Sequence, residues 1–182
     1  SEVAVISLGD VVTAQSVRVA GDDFDEAIIS YIKKKFNLLI GERTAEELKI
    51  KLGSAFPYEE ETTMDVKGRN LVDGLPKNIV ISSEEVREAL ADPVGAIVDA
   101  VKSTLERTPP ELSADIYETG IVLTGKGSLL YGMDAFLESA TGVPVRIAKE
   151  PGLCVAKGLG KSMHNLRKLR NDGYSFRYIE EI

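Results

Sequence analysis

The residues with the clearest chemical potential lie between Gly120 and Ala148, in the stretch GIVLTGKGSLLYGMDAFLESATGVPVRIA. An apolar run, Ile121-Val122-Leu123, ends at Thr124-Gly125-Lys126-Gly127. Beyond it Leu129/Leu130, Met133, Phe136/Leu137 and Ala140 recur every three to four residues, which predicts a helix. Gly142 and Pro144 end that helix and Val145 to Ala148 predicts a second short strand, so the segment reads as a β-α-β unit. Glycines between a strand and a helix start leave backbone N–H groups unpaired and let a ligand approach the chain closely. That suits a nucleotide or another polar ligand. The same pattern also serves a tight turn that binds nothing, because glycine turns of this kind recur throughout α/β folds.

A second candidate lies upstream. Thr44-Ala45-Glu46-Glu47 has the pattern of a capping box, with Thr44 closing a helix start, Glu47 reaching back to it, and the helix running to about Leu52. Glu46 and Lys49 are three residues apart on one face, where they predict a surface pair of a few tenths of a kcal/mol. Gly21-Asp22-Asp23 opens another helix through about Phe36, with acidic residues at its positive end and Lys33, Lys34 and Lys35 in its last turns. Phe24, Ile28, Tyr31/Ile32 and Phe36 form its apolar stripe, and the lysine run reads as a solvated end.

The remaining elements must hold these residues in place. Val3 to Leu8 predicts a strand, Gly9-Asp10 a hairpin turn, and Val11 to Ala20 a returning strand. The first strand begins almost at residue 1 with no leading turn, which reads as a chain cut from a longer one. From Gly53 to about Ile81 the texture is that of short β segments, TTMDVKG and KNIVIS, in a small β-rich insert. Ser82-Ser83-Glu84-Glu85 predicts a capped helix that Pro93 interrupts and Asp92-Pro93 restarts, giving two helices that meet. Pro109-Pro110 stops the second, and a short helix follows to about Tyr117. Gly152 to Ser162 predicts a small-residue helix. The tail 165–182 is basic and aromatic, with Arg167, Lys168, Arg170, Tyr174, Phe176 and Tyr178, and reads either as a disordered end or as a segment that docks on a partner or an acidic membrane surface.

Composition bounds the function. At 182 residues and 43% apolar content the chain can bury a core as one domain or two small ones. With 22 basic and 29 acidic residues the net charge of −7 argues against a general nucleic-acid binder. The single cysteine, Cys154, forms no internal disulfide and predicts a buried structural thiol between Leu153 and Val155, which fits a reducing cytoplasm. No run of about 18 apolar residues spans a bilayer, and no leader opens the chain. His164 is the lone histidine, so no zinc cluster and no Ser/His/Asp set is expected: catalytic none, metal none.

The string IVLTGKGSLLYGMDAFLESATGVPVRIAKEPGLCVAKGLGK closely resembles the nucleotide-site segment of the MreB family of bacterial actin homologues, Mbl among them. EVAVISLG, SVRVAGDDFDEAIISYIKKKFNLLIGERTAEELK, GLPKNIVISSEEVREAL and VKSTLERTPPELSADI resemble it in the same order, over about residues 2–164. The resemblance is to the C-terminal half of that family. It implies an α/β, actin-like (ribonuclease H-like) half: residues 1–37 plus 92–164 as subdomain IIA, and 38–91 as an inserted subdomain IIB. In the family pattern a glycine-rich phosphate loop precedes the first hairpin, and only its trailing Ser1-Glu2 would remain here.

The resemblance further implies a cytoskeletal ATP-binding protein that self-associates into filaments and directs cell shape and wall synthesis. Such filaments lie in the cytoplasm, peripheral to the inner membrane, where cell-shape and wall-synthesis membrane proteins are the implied partners. No nucleic acid and no direct membrane insertion are expected of this part. The implied cofactor is ATP, with Mg in the intact parent. Carried over by position, the nucleotide contacts are Gly21, Glu46, Lys49, Gly125, Lys126, Gly127 and Ser128. Most of the family's phosphate- and metal-binding segments lie upstream, so the chain alone is expected not to hydrolyse ATP. Two other readings are a partner-docking module that binds no nucleotide and half of another actin-fold ATPase, such as a sugar kinase or a chaperone.

One position departs from the family pattern. Relatives read Thr-Gly-Gly-Gly-Ala where this chain reads Thr124-Gly125-Lys126-Gly127-Ser128. If the middle position needs a left-handed backbone, a lysine there costs roughly 1–2 kcal/mol. The expectation is an obstructed adenine site and weakened binding, the alternative being a side chain that swings outward toward phosphate or solvent.

Overall fold

The computed structural model describes residues 1–166, and the tail expectation for Arg167 onward falls outside them. β1 (Glu2–Ser7) and β2 (Asp10–Ser16) form an antiparallel hairpin from Glu2↔Ser16 to Ser7↔Asp10, with a bulge between Val5 and Ile6. Leu8 (φ 54°) and Gly9 (φ 92°) are both left-handed, as a two-residue hairpin loop with the strands' own twist demands. The second strand stops at Ser16, four residues before the predicted Ala20.

α1 (Gly21–Phe36) follows, with Asp23 accepting the Ala20 N–H at 2.7 Å and Phe24, Ile28 and Ile32 buried on one face. Asn37, left-handed at φ 52°, ends it. β3 (Leu38–Leu39) is the edge of a three-stranded antiparallel sheet, ordered β3-β4-β5, with β4 at Thr63–Asn70 and β5 at Pro76–Ser82. Between them α2 (Glu42–Leu52) is capped by Gly41, three residues ahead of Thr44. The Thr44 capping box is therefore not formed. The Gly41 carbonyl takes the Thr44 and Ala45 N–H groups at 3.0 and 3.1 Å, and Glu47 turns outward to Lys51 at 2.7 Å.

The capping box at Ser82 does form: its hydroxyl accepts the Glu85 N–H, and the Glu85 carboxylate accepts the Ser82 N–H. It opens α3 (Ser83–Glu106), one continuous helix through Pro93 rather than two. An internal proline costs a helix about 3 kcal/mol. Here Val86, Leu90, Val94, Val98 and Val101 lie buried on both sides of Pro93, so burial of a stripe longer than either half outweighs the lost hydrogen bond. α1 packs on α2 and on α3, and this three-helix contact carries most of the buried cluster together with Leu38, Val66 and Ile81 of the sheet.

α4 (Pro110–Thr119) leads to β6 (Ile121–Leu123), which pairs in parallel with β7 (Val145–Ile147) through α5 (Met133–Thr141). Gly120, at φ 79°, makes the pairing possible: a Cβ there would stand 2.6 Å from the Pro144 carbonyl oxygen. The β-α-β unit is thus present, but its helix starts later than predicted. Lys126–Leu129 forms a 3-10 turn, left-handed Gly132 breaks the direction, and Leu129 is exposed instead of opening the apolar stripe. A second 3-10 turn, Pro151–Leu153, precedes α6 (Cys154–His164). Cys154 is half-buried, its Sγ 3.8 Å from the Glu150 carbonyl oxygen. The expectation of a buried thiol fails because Leu153, Val155, Leu159 and Met163 are exposed, so apolar neighbours in sequence did not mark a core.

Candidate functional site

Two of the predicted contacts meet although 28 residues separate them: Lys49 Nζ donates to the Gly21 carbonyl oxygen at 3.0 Å. The same ammonium is ion-paired with Asp25 Oδ2 at 2.7 Å, with side-chain exposures of only 18% and 14%. Helical geometry explains the meeting. Asp25 stands one turn beyond Gly21, so carbonyl and carboxylate lie on one face of α1, and α2 packs across that face through Ala45, Leu48 and Leu52. A Cβ at Gly21 would stand in ordinary contact with Lys49 Nζ, at 3.6 Å.

Lys49 does not form the predicted pair with Glu46. Glu46 is exposed, and among the described residues its carboxylate enters no ion pair. Proximity along α2 loses to a partner on α1 because the α1 carboxylate is shielded from water. A pair shielded from water attracts more strongly than an exposed one, against the cost of desolvating both charges.

The glycine turn is built differently. Gly125 carries the left-handed angle, φ 82°, and its N–H donates to the Pro151 carbonyl oxygen at 2.9 Å. Ser128 is buried and committed to the turn, its hydroxyl donating to the Gly125 carbonyl oxygen at 2.7 Å. Lys126 is the first residue of the 3-10 turn and has an ordinary negative φ, so the strain expected of it is absent. Its aliphatic chain lies on the second 3-10 turn instead, with Cγ 3.2 Å from where a Gly152 Cβ would stand.

The two arms are joined from behind. α2 ends at Gly53, against the Leu130 side chain that follows the turn, and the Ala55 N–H donates to the Tyr131 carbonyl oxygen at 2.8 Å. Tyr58 and Tyr131 stack with ring centroids 4.2 Å apart. The far end of this loop is fixed to α3: the Thr62 N–H donates to the Ser83 hydroxyl, and Glu61 accepts from Ser83 and pairs with Arg87 at 2.7 Å. The Ser83 hydroxyl first, and Arg87 second, hold the Glu61 carboxyl below its ordinary value. Beside it Lys35 pairs with Glu85 at 3.0 Å. Burial raises the Glu85 carboxyl, but the Ser82 N–H and Lys35 together leave it lowered. This second group of charges ties α1 to α3 and lies outside the Lys49 edge.

No atom lies within 4 Å of where a Cβ would stand on Gly125 or Gly127, so the turn's outer surface is open. On the other arm Asp25 Oδ1 is buried with no hydrogen-bond partner, an acceptor that an internal water would satisfy. Among the described residues no three His, Cys, Asp or Glu side chains are grouped to hold a metal. Sequence reasoning missed Asp25 and the Tyr58–Tyr131 stack. The signal for Asp25 was its place between Phe24 and Ile28 of the buried stripe, where a carboxylate needs a cation; for the stack there was none.

A family model described as MreB/Mbl protein matches residues 1–171. The cell shape-determining protein Mbl of Bacillus subtilis is 50% identical over 93% of this chain and 51% of its own length. The cell shape-determining protein MreB of Escherichia coli K12 is 48% identical over 96% and 50%. The chain therefore spans about half the length of these curated relatives. Among solved structures, MreB5 of Spiroplasma citri bound to ADP superimposes with a TM-score of 0.88 at 39% identity, over 94% of this chain and 52% of that one. A MamK double helical filament matches in fold alone, at TM-score 0.63 and 20% identity.

Proposed function

The chain belongs to the MreB/Mbl protein family, and from that premise we propose that it is the nucleotide-edge half of an actin-like, ATP-binding cytoskeletal protein. In this reading the filament formed by the whole protein lies against the inner membrane and directs bacterial cell shape and wall synthesis together with membrane proteins. Residues 1–37 and 92–164 serve as subdomain IIA and 38–91 as the inserted subdomain IIB. Gly21, Lys49 and Glu46 border the sugar and base, and Gly125, Lys126, Gly127 and Ser128 form the opposing turn.

The observation that carries the reading is the convergence of Gly21, Asp25 and Lys49 on an α2 whose end abuts Leu130, behind the open turn. The nucleotide supplies the transferable phosphoryl group. This chain's own groups bind and orient: Lys49 offers a cation held in place by Asp25, and the turn offers open backbone. Phosphoryl transfer further needs metal and water placed at the phosphates, so the chain alone is expected to bind nucleotide weakly and not to hydrolyse it. Equilibrium dialysis of the 182-residue chain against labelled ATP, with phosphate release followed in the same samples, tests this. Saturable binding with release at buffer background is expected. Absence of binding at millimolar nucleotide, or release that Glu46→Ala abolishes, overturns it.

A further inference from the structure

Resting on the reading that the whole protein lies against the inner membrane, we propose that the turn between β4 and β5 is a peripheral contact for an anionic lipid surface, its apolar side chains entering the headgroup boundary between flanking cations. The turn folds without help from those side chains. The Asn70 N–H donates to the Leu75 carbonyl oxygen at 2.8 Å and the Gly74 N–H to the Asn70 carbonyl oxygen at 2.9 Å, while the Asn70 and Asp73 side chains accept the Val72 and Leu75 N–H groups at 3.2 and 3.0 Å. Gly74 takes the left-handed angle, φ 77°. Polar residues at the remaining positions would serve such a turn equally well. Instead Leu71, Val72 and Leu75 stand there, 42%, 81% and 62% exposed. Large apolar side chains grouped on a turn that its own hydrogen bonds hold in shape mark a contact surface.

The surroundings name the partner. The chain carries a net charge of −7, yet the side chains around this turn are mostly cationic. Arg69 and Lys77 flank it on the two strands, and Lys77 Nζ reaches the Phe36 carbonyl oxygen at the end of α1, at 3.4 Å. The Leu71 N–H donates to the Asn37 carbonyl oxygen at 2.8 Å, so the last turn of α1, with Lys33 and Lys34, lies at the base of the hairpin. All four cations are exposed, and none enters an ion pair among the described residues. Asp73 is the turn's one acidic residue. A specific protein partner needs an interface of about 1,000 Å² or more, far beyond three side chains on one turn. A bilayer asks for no matching shape: clustered cations are drawn to anionic headgroups, and short apolar side chains partition just below them. The contact is peripheral, since no helix among the described residues is long and apolar enough to cross a membrane. It departs from the expectation, drawn from the resemblance, of no direct membrane insertion by this part.

The test is co-sedimentation of the full chain with vesicles of phosphatidylglycerol and phosphatidylethanolamine, beside vesicles of phosphatidylcholine alone. Binding to the anionic vesicles should exceed binding to the neutral ones by about tenfold or more and should fall as salt rises. Val72→Ser with Leu75→Ser keeps every cation and every hydrogen bond of the turn, and should weaken binding to the anionic vesicles by about tenfold. Arg69→Gln with Lys77→Gln keeps the apolar side chains and should weaken it by a similar factor. The four substituted side chains are exposed, so melting curves of both variants should match the wild type. No binding to anionic vesicles, equal binding to both kinds, or binding unchanged in either variant overturns the role of this turn. The last result would assign the contact to another segment, such as the basic tail 165–182. Dialysis against ATP is independent of all three outcomes: its failure overturns the nucleotide reading and leaves the lipid contact standing, and the reverse holds for failure here.

Discussion

The helix edge and the glycine turn are held by different physics. At the edge, Lys49 is fixed by a shielded carboxylate 24 residues away, and the geometry belongs to three packed helices. At the turn, position is set by one left-handed glycine, by short-range hydrogen bonds such as that from the Ser128 hydroxyl to Gly125, and by the backbone bond from Gly125 to Pro151, with little burial beyond Ser128 and Leu130. Charge substitutions should therefore be felt mainly at the edge and backbone substitutions mainly at the turn.

The largest expected effect breaks the junction between the arms. Gly132→Ala would place a Cβ 2.4 Å from Phe56 Cβ at a φ of 70°, combining a clash with a left-handed penalty. Urea unfolding should show a loss of about 3 kcal/mol. A loss under 1 kcal/mol would mean that the loop before β4 is not fixed to the turn.

Next comes the edge itself. Lys49→Met leaves the Asp25 carboxylate shielded and unpaired, and should cost about 2 kcal/mol, below the range for fully buried pairs because both groups retain some exposure. Combining it with Asp25→Leu should recover part of that loss. Additive losses in the double variant would contradict pairing as the reason Lys49 is held there.

Acid provides a smaller and graded test. Glu61 and Glu85 are lowered from an ordinary 4.5 in the folded chain. Groups of this kind contribute stability that is present above the unfolded value and is lost as pH falls through the folded one. The melting temperature should therefore fall with pH below about 4.5, and Arg87→Gln, which removes the cation beside Glu61, should flatten that fall. An identical slope in the variant would remove Glu61 from the account.

The smallest effect is expected at Lys126. With no left-handed strain to relieve, Lys126→Gly should lower stability by about 0.5–1 kcal/mol through added backbone freedom. Gly125→Ala, which imposes a side chain at φ 82°, should cost roughly 1–2 kcal/mol. Stabilisation by Lys126→Gly would restore the strain argument.

These contrasts mirror what the sequence made legible. Local signals were readable: the α1 stripe, the capping box at Ser82, the glycine stop before Pro144, and the strands on either side of the turn all came from short-range pattern. Signals decided by tertiary contact were misread. Thr44 looked like a cap because nothing local revealed that Gly41 would take its N–H. Pro93 looked like a break because the burial that overrides it depends on α1. Lys126 looked strained because glycine counting cannot say which of three neighbouring positions carries the positive φ. At the candidate site the glycine turn, Gly21 and Lys49 were named from sequence and resemblance, whereas the cation that Asp25 needs is identified only when α2 is laid across α1.

The central claim is that the two arms form one ligand site, and backbone amide shifts of the uniformly labelled chain titrated with ADP test it most directly. The account predicts that Gly21, Asp25 and Lys49 on one arm and Gly125, Gly127 and Ser128 on the other shift together along one saturation curve. Shifts confined to one arm, or two curves with different midpoints, would contradict it.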